Sequence, residues 1–289
     1  MKKLVIFLLS FILIFYILIS INDIQVISHN ERHIGSNINF VAHRGYSSLE
    51  YDNSYESIIL ANKSECVDAI EVDVRMTNDG YLVLSHNNKI KTEISKTKVS
   101  DMSYEEFMNV KLSRQISIED KNNITLDIKE KYAKGTTADI YNVLDIVQNK
   151  TLILDIKYSK YIKTLNKKLL DIIEGYDNVI IQSNNIYGLH DLLKRNNQLK
   201  CQYIIDEPGD FYNISDSLYG ITIRYNLVKY NYIKYYINKG LKIFVWTIND
   251  IETYEKIFKE AKEYSNKLYY ITDYPKILCS YDIMKFRKI

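Results

Sequence analysis

The sequence is poor in residues that mark several well-known classes of protein. Its 289 residues include two prolines, one tryptophan and three cysteines. The cysteines, Cys66, Cys201 and Cys279, form no C-x-x-C pair, which argues against a zinc site and a thioredoxin-type redox site. Their odd number and wide separation favour buried free thiols, with one disulfide as the alternative if the domain is extracellular.

A dominant charge and a phosphate-binding loop are also missing. The chain has 38 Lys+Arg against 36 Asp+Glu, a net charge of +2 with no dominant basic run. Nothing in the composition therefore requires a nucleic-acid partner. No glycine-rich loop follows any predicted strand, which removes support for a dinucleotide-binding fold.

One long apolar run is present, at the N-terminus. Residues 4–21 carry no charge and follow Lys2 and Lys3. As a helix, this run would rise about 27 Å, close to the roughly 30 Å of a bilayer core. It lacks the small residues of a cleavage site, so we predict an uncleaved anchor in the cell membrane. The flanking lysines indicate a single-pass protein with an extracellular domain.

The remaining chain has the length and pattern of one barrel. Residues 1–21 are the anchor or signal segment, residues 22–39 a polar stalk, and residues 40–289 a domain of the usual (β/α)8 size, a length that also fits two smaller domains. Apolar strands alternate with helices there, which favours a parallel sheet with helices outside. We predict an α/β fold, a TIM-type barrel preceded by one N-terminal transmembrane helix.

Several local patterns make this prediction more specific. About nine strands are predicted, one more than a closed barrel needs, and the tight turn at Asp79-Gly80 makes the strand at Tyr81 the most suspect. Asn53 with Glu56 resembles a capping box. Residues 103–112 are predicted to be helical.

Polar residues are concentrated where the predicted strands end. They are His43 and Arg44, Glu71 and Asp73, His86, Asp155 and Lys157, and, further along, Asn249 and Asp273. In a parallel barrel the carboxyl ends of the strands converge on one mouth. We therefore expect these side chains to meet.

Three carboxylates in this set are candidate metal ligands. Glu71 and Asp73 are spaced i, i+2, which puts both on one side of a strand. Together with Asp155, and without a thiolate, they suit one hard cation, Mg²⁺ or Ca²⁺. The alternative is a structural ion network in which Glu71 and Asp73 pair with Arg75 and Lys157, and the spacing alone does not decide between the two.

The other polar groups fit the cleavage of a phosphodiester. His43 and His86 are candidates for acid and base, since imidazoles titrate near neutral pH. Arg44 and Lys157 are candidates to bind phosphate oxygens. Trp246 is a candidate to stack on a choline head group, with core packing as the alternative.

Short motifs also occur in a characteristic order along the domain. They are His43-Arg44-Gly45, Asp52-Asn53-Ser54, Glu71-Val72-Asp73-Val74, Thr77-Asn78-Asp79-Gly80, His86, Asp155-Ile156-Lys157, Trp246-Thr247-Ile248-Asn249 and Ile271-Thr272-Asp273-Tyr274-Pro275. This ordered set resembles the glycerophosphodiester phosphodiesterase family, which is related to the spider-venom phospholipase D enzymes. The resemblance implies a TIM-type barrel, one divalent cation and hydrolysis of glycerol phosphodiesters.

The resemblance also implies a role for each matched position. His43 and His86 would be the catalytic pair, Glu71, Asp73 and Asp155 would bind the metal, and Arg44 and Lys157 would contact phosphate. The chain departs from the family pattern at Asp52 and Asp155, where glutamate is usual, and at Asn87, where aspartate usually follows the histidine.

Three functions fit these residues. The first is metal-dependent hydrolysis of a small-molecule phosphodiester: a glycerophosphodiester would give an alcohol and glycerol phosphate, and a lysophospholipid is the other candidate substrate. The second is a lipid-cleaving, phospholipase D-like reaction that forms a cyclic phosphate. The third is a non-catalytic module that binds phosphodiesters or wall polymers. The presence of both histidines and all three carboxylates favours an enzyme, a phosphoric diester hydrolase.

Overall fold

The computed structural model describes residues 39–91, 96–116 and 131–286. One compact unit spans Ile38–Ile283, and a second, Met1–Asn37 with Met284–Ile289, falls almost wholly outside the described residues. The predicted anchor, residues 1–21, lies outside them as well. No helix within the described ranges is long and apolar enough to cross a bilayer.

The described ranges contain a barrel and a smaller excursion. The strands are β1 (Asn39–Ala42), β2 (Ala69–Met76), β3 (Leu82–Leu84), β4 (Lys89–Lys91), β5 (Lys96–Lys98), β6 (Lys111–Ile116), β7 (Lys131–Thr136), β8 (Thr151–Ile156), β9 (Val179–Ser183), β10 (Cys201–Ile205), β11 (Gly220–Arg224), β12 (Lys242–Trp246) and β13 (Leu268–Thr272). β1, β2 and β8 to β13 are parallel, and β1 pairs with both β2 and β13. The sheet therefore closes, and the predicted TIM-type barrel is confirmed.

Helices connect most of the barrel strands. They are α1 (Tyr55–Lys63), α2 (Tyr104–Met108), α3 (Ile140–Ile146), α4 (Ile162–Ile173), α5 (Ile186–Arg195), α6 (Tyr230–Asn238), α7 (Ile251–Glu260) and α8 (Pro275–Phe286). The helix predicted over residues 103–112 is wrong beyond Met108, because the chain enters β6, which pairs with β7. These strands gain cross-strand hydrogen bonds that outweigh local helix preference.

The predicted capping box at Asn53 is also wrong. Ser54 is the N-cap of α1 and accepts a hydrogen bond from the backbone N–H of Ser57. Glu56 binds Thr136 on β7 instead, by 2.8 Å and 2.7 Å hydrogen bonds. Asn53, with φ at +56°, does not cap the helix and instead binds Asp73 at the barrel mouth.

The ninth strand of the main sheet is β3, the strand after the turn at Asp79-Gly80, and it does not belong to the parallel barrel. β3 runs antiparallel to β2, with Val74 opposite Leu84, and follows the turn at Gly80, where φ is +86°. The excursion from β3 to β7 buries its own apolar cluster. That cluster comprises Val83, Ile90, Val99, Met102, Phe107, Val110 and Leu112.

The barrel interior is built in layers. Its apolar layer consists of Val41, Ala69, Ile153, Ile180, Phe244 and Ile271. Side chains of a strand return to the same face every second residue. The next layer toward the strand ends is therefore His43, Glu71, Asp155, Gln182, Trp246 and Asp273. The apolar core thus ends where the polar residues begin.

The prediction of buried free thiols is wrong for two of the three cysteines. Cys66 and Cys279 form a disulfide, with Cα atoms 5.6 Å apart, whereas Cys201 is a buried free thiol. A Cα separation of this size is normal for disulfides. Cys66 lies between α1 and β2, and Cys279 lies in α8, which follows β13. Because β2 and β13 both pair with β1, barrel closure brings the two cysteines together.

Candidate active site

A cavity of about 220 Å³ lies at the barrel mouth. All eight residues proposed from sequence line it: His43, Arg44, Glu71, Asp73, His86, Asp155, Lys157 and Trp246. The parallel strands position seven of them, since each of these strands ends at this face, and His86 follows the antiparallel strand β3. The fold therefore brings these eight together, whereas Asp273 and Asn249, also expected at the mouth, do not line the cavity and lie behind His43.

Three buried carboxylates form the floor of the cavity. Oxygen atoms of Glu71, Asp73 and Asp155 lie within 4.8 Å of one another, and Asp73 is directly opposite Asp155 in the β2–β8 ladder. Burial and the charge of Asp73 raise the pKa of Glu71 to about 8, and burial raises the pKa of Asp155 to about 6. A divalent cation would relieve this repulsion. Moreover, Oδ1 of Asp155 is buried without a hydrogen-bond partner, as a metal-ligating oxygen would be.

Two cationic side chains of this chain already neutralise part of the negative charge of the three carboxylates. Lys157 Nζ lies 2.6 Å from Asp155 Oδ2 and 3.0 Å from Asp73 Oδ1, and Arg44 Nε lies 3.2 Å from Asp73 Oδ2. Of the alternative ion network, the pair between Asp73 and Lys157 is therefore formed. Arg75 takes no hydrogen-bonding part in it, because its guanidinium donates to the backbone oxygens of His86 and Ser85.

The backbone after β1 wraps around the carboxylate of Glu71. The N–H of Arg44 donates to Glu71 Oε2 at 2.9 Å, with Arg44 at φ +59°. Gly45 follows at φ +76°, and a Cβ there would lie 2.5 Å from Ser57 Oγ. Only glycine fits this position, which explains the His-Arg-Gly sequence at the mouth.

Asn53 orients the second carboxylate. Its Nδ2 donates to Asp73 Oδ2 at 2.8 Å, and its Oδ1 accepts from the backbone N–H of Asp73 at 2.9 Å. Both groups are buried. The sequence motif containing Asn53 does not by itself predict this bond, since Asn53 lies in the loop before α1 and Asp73 lies in β2.

The first histidine is held by an acid from the last strand. Nδ1 of His43 lies 2.7 Å from Oδ1 of Asp273, which also accepts from Ser47 Oγ at 2.9 Å. Asn249 Nδ2 donates to the other oxygen of Asp273 at 2.6 Å. Burial lowers the pKa of His43, but the hydrogen bond and charge of Asp273 outweigh it and leave the pKa raised.

The second histidine reaches the cavity through β3. Because β3 runs back toward the mouth, its end lies beside Asp73, whose carbonyl oxygen accepts from the N–H of Ser85 at 2.9 Å. The carbonyl of His86 accepts from Arg75 Nη2 at 2.7 Å. Burial lowers the pKa of His86 below its usual value, against the opposing charge of Asp73.

The far wall of the cavity contains polar residues that the sequence reasoning missed. Gln182 Oε1 accepts from Gln202 Nε2 at 2.7 Å and from Thr222 Oγ1 at 3.1 Å. Gln182 and Thr222 line the cavity beside Trp246. The sequence does contain a signal for them, since each is a polar residue next to apolar residues in a buried strand. Trp246 also packs on the apolar interior layer, so the core-packing role considered from the sequence applies to it as well.

Comparison with known proteins places this site in one family. The model of the glycerophosphoryl diester phosphodiesterase family matches residues 43–267. A glycerophosphodiester phosphodiesterase of Caldanaerobacter subterraneus is 26% identical over 230 residues, which cover 76% of this chain and 89% of that protein.

Solved structures share the fold. A glycerophosphodiester phosphodiesterase of Thermotoga maritima is 24% identical, with a TM-score of 0.64 over 84% of this chain and 98% of that one. A phosphodiesterase of Oleispira antarctica, solved with its product sn-glycerol-3-phosphate, is 16% identical, with a TM-score of 0.67 over 84% of this chain and 95% of that one.

Proposed function

Because this chain belongs to the glycerophosphoryl diester phosphodiesterase family and is a phosphoric diester hydrolase, we propose that it hydrolyses glycerophosphodiesters to an alcohol and glycerol phosphate by metal-dependent histidine catalysis. The observation that supports this most is the cavity lined by two histidines, two cations and four carboxylates, three of which are buried and clustered. The Oleispira antarctica relative, whose product is sn-glycerol-3-phosphate, supports the same product here.

Glu71, Asp73 and Asp155 would hold one divalent cation, Mg²⁺ or Ca²⁺. All-oxygen ligands suit either ion. When bound, the cation would act as a Lewis acid on a phosphate oxygen. Asp155 supports this assignment because its Oδ1 is buried and has no protein partner.

The two histidines would divide the proton transfers. His86, whose pKa is lowered, is neutral near neutral pH and would accept the proton of the attacking water. His43, whose raised pKa favours its protonated form, would donate to the alkoxide as the P–O bond breaks. One proton is taken and one is given, so the pair ends with its protonation reversed and must exchange protons with solvent.

The remaining groups would bind the substrate. Arg44 and Lys157 carry positive charge at the carboxylate floor and would contact the phosphate oxygens. Trp246, at the far wall, would contact the alcohol, and a choline head group would gain cation–π stabilisation there.

We place the domain outside the cell, held by the predicted anchor at residues 4–21. The Cys66–Cys279 disulfide supports an oxidising compartment, because such bonds rarely persist in a cytosol. Fractionation tests this: the protein should stay with membranes after salt and alkaline washes, and external protease should reach the domain. A mature chain free in the medium would argue for a cleaved signal instead.

The function itself is tested with a substrate panel. Protein stripped of metal is incubated with glycerophosphodiesters and lysophospholipids, with and without Mg²⁺ or Ca²⁺, and products are identified by mass. We expect glycerol phosphate from the glycerophosphodiesters only when metal is present. A cyclic phosphate would reveal the phospholipase D-like reaction, and full turnover in excess chelator would overturn the metal assignment.

A further inference from the structure

A second cavity, of about 470 Å³, adjoins the catalytic one. His86 and nearby Asn53 line it, so the groove begins beside the proposed base. Its outer side is the hairpin formed by β4 and β5. We call this cavity the lysine groove, because Lys89, Lys91, Lys96 and Lys111 line it.

The hairpin register concentrates positive charge on one of its faces. Lys89 lies directly opposite Lys98, and Lys91 directly opposite Lys96. Like charges at directly opposite positions of an antiparallel pair destabilise it. The intervening residue, Ile90, points the other way and packs into the apolar cluster of the excursion. The hairpin therefore carries two repelling lysine pairs on the face turned away from its core.

Three of the groove lysines, Lys89, Lys91 and Lys96, form no ion pair with an acidic residue of the described ranges. All three are exposed. The acid that lines the groove, Asp52, lies 3.7 Å from the guanidinium of Arg44. The groove thus offers several positive charges next to a site that acts on a phosphodiester.

We propose that the lysine groove binds a second phosphate of the substrate, so that the preferred substrate is a glycerophosphodiester carrying at least one further phosphate. This inference rests on the function proposed above. His86 and Lys89 are three residues apart, which limits their Cα separation to about 11 Å. A phosphate one unit along a glycerol phosphate chain is therefore within reach of the groove while its neighbour occupies the catalytic cavity.

Three soluble substrates test the proposal in the presence of metal. They are glycerophosphoglycerol, the same molecule with one terminal phosphate, and a longer glycerol phosphate oligomer. For each protein, kcat/KM for the two charged substrates is divided by kcat/KM for glycerophosphoglycerol. A gain with the monophosphate identifies a small phosphorylated head group as sufficient, and a gain with the oligomer alone identifies a polymer.

The test variant is Lys89→Gln/Lys91→Gln/Lys96→Gln. Its control, Lys167→Gln/Lys194→Gln/Lys234→Gln, removes the same charge from exposed positions on α4, α5 and α6. We expect the test variant to lower the ratio at least about tenfold, since three charge contacts are lost. The control should keep the wild-type ratio. The melting temperature of the test variant should not fall, because lysine repulsion is relieved.

The outcomes separate this proposal from the function on which it rests. Wild-type turnover of glycerophosphoglycerol with a ratio near one, or a ratio unchanged in the test variant, overturns the groove and leaves the phosphodiesterase intact. If nothing is turned over, fluorescence anisotropy with a labelled oligomer decides: equal affinity in wild type and test variant overturns the groove. Loss of binding to anionic vesicles alone, with unchanged ratios, would also overturn it in favour of a membrane-facing surface.

Discussion

Nδ1 of His43 lies 2.7 Å from a carboxylate oxygen of Asp273, a residue 230 positions later in the chain. This contact raises the pKa of His43 even though burial opposes it. The other histidine, His86, has a lowered pKa, chiefly because of burial. The two imidazoles of one cavity are thus shifted in opposite directions, which suits them to opposite proton transfers.

The first prediction concerns the pH dependence of kcat/KM at saturating metal. Activity requires neutral His86 and protonated His43, so it should fall below the pKa of His86 and above that of His43. The lower limb should lie under 6.5 and the upper limb above it. Asp273→Asn removes the charge that raises the pKa of His43, so the upper limb should move to lower pH.

Asp250→Asn is the matched control, because Asp250 caps α7 and does not line the cavity. Its profile should match the wild type. An upper limb that stays in place in Asp273→Asn would show that His43 does not titrate there.

The second prediction concerns the histidines themselves. His43→Ala and His86→Ala should each lower kcat by about 10²–10⁴-fold. The double variant should lose far less than the product of the two, because the groups act as a unit. A nitrophenol leaving group needs no proton, so it should partly rescue His43→Ala and leave His86→Ala impaired.

The control for this series is His190→Ala, an exposed position on α5. It should retain wild-type activity. Loss of less than tenfold in both cavity variants would remove the histidines from the reaction, and rescue of His86→Ala instead would exchange their roles.

The third prediction separates charge from reach at Asp155. Asp155→Asn keeps the shape and removes the charge, so the metal concentration for half-maximal activity should rise about tenfold or more, in line with a loss of about 1–3 kcal/mol. Asp155→Glu keeps the charge and should retain more activity at saturating metal. The exposed Asp145→Asn on α3 serves as the control.

The competing explanation for Asp155 is its 2.6 Å contact with Lys157 alone. In that case Asp155→Asn would lower the melting temperature but leave the metal requirement unchanged. This result would leave Glu71 and Asp73 as the protein ligands.

The fourth prediction concerns the disulfide between Cys66 and Cys279, which closes a separation of 213 residues. Replacing both by serine should lower the free energy of unfolding by about 2–5 kcal/mol, measured by urea denaturation. A reducing agent should destabilise the wild type by a similar amount and have no further effect on the double variant. If the reducing agent left the free energy of unfolding of the wild type unchanged, the bond would be absent from the folded protein.

Local sequence determined much of the site. The i, i+2 spacing of Glu71 and Asp73 places both carboxylates inside the barrel, since strand side chains alternate between two faces. The turn at Asp79-Gly80 and the cap at Asp250 likewise depend on a few adjacent residues. For this reason, all eight residues proposed from these patterns line one cavity.

Tertiary structure decided which distant residues meet. Closure of the barrel pairs β1 with β13 and β2, and this alone brings Asp273 to His43 and Cys279 to Cys66. A separate pairing, of β6 with β7 outside the barrel sheet, makes Lys111–Ile116 a strand where the local pattern up to Leu112 predicts a helix. Periodicity tells which face of an element a side chain occupies, but the partner across that face is set by hydrogen bonds and packing between segments far apart in the chain.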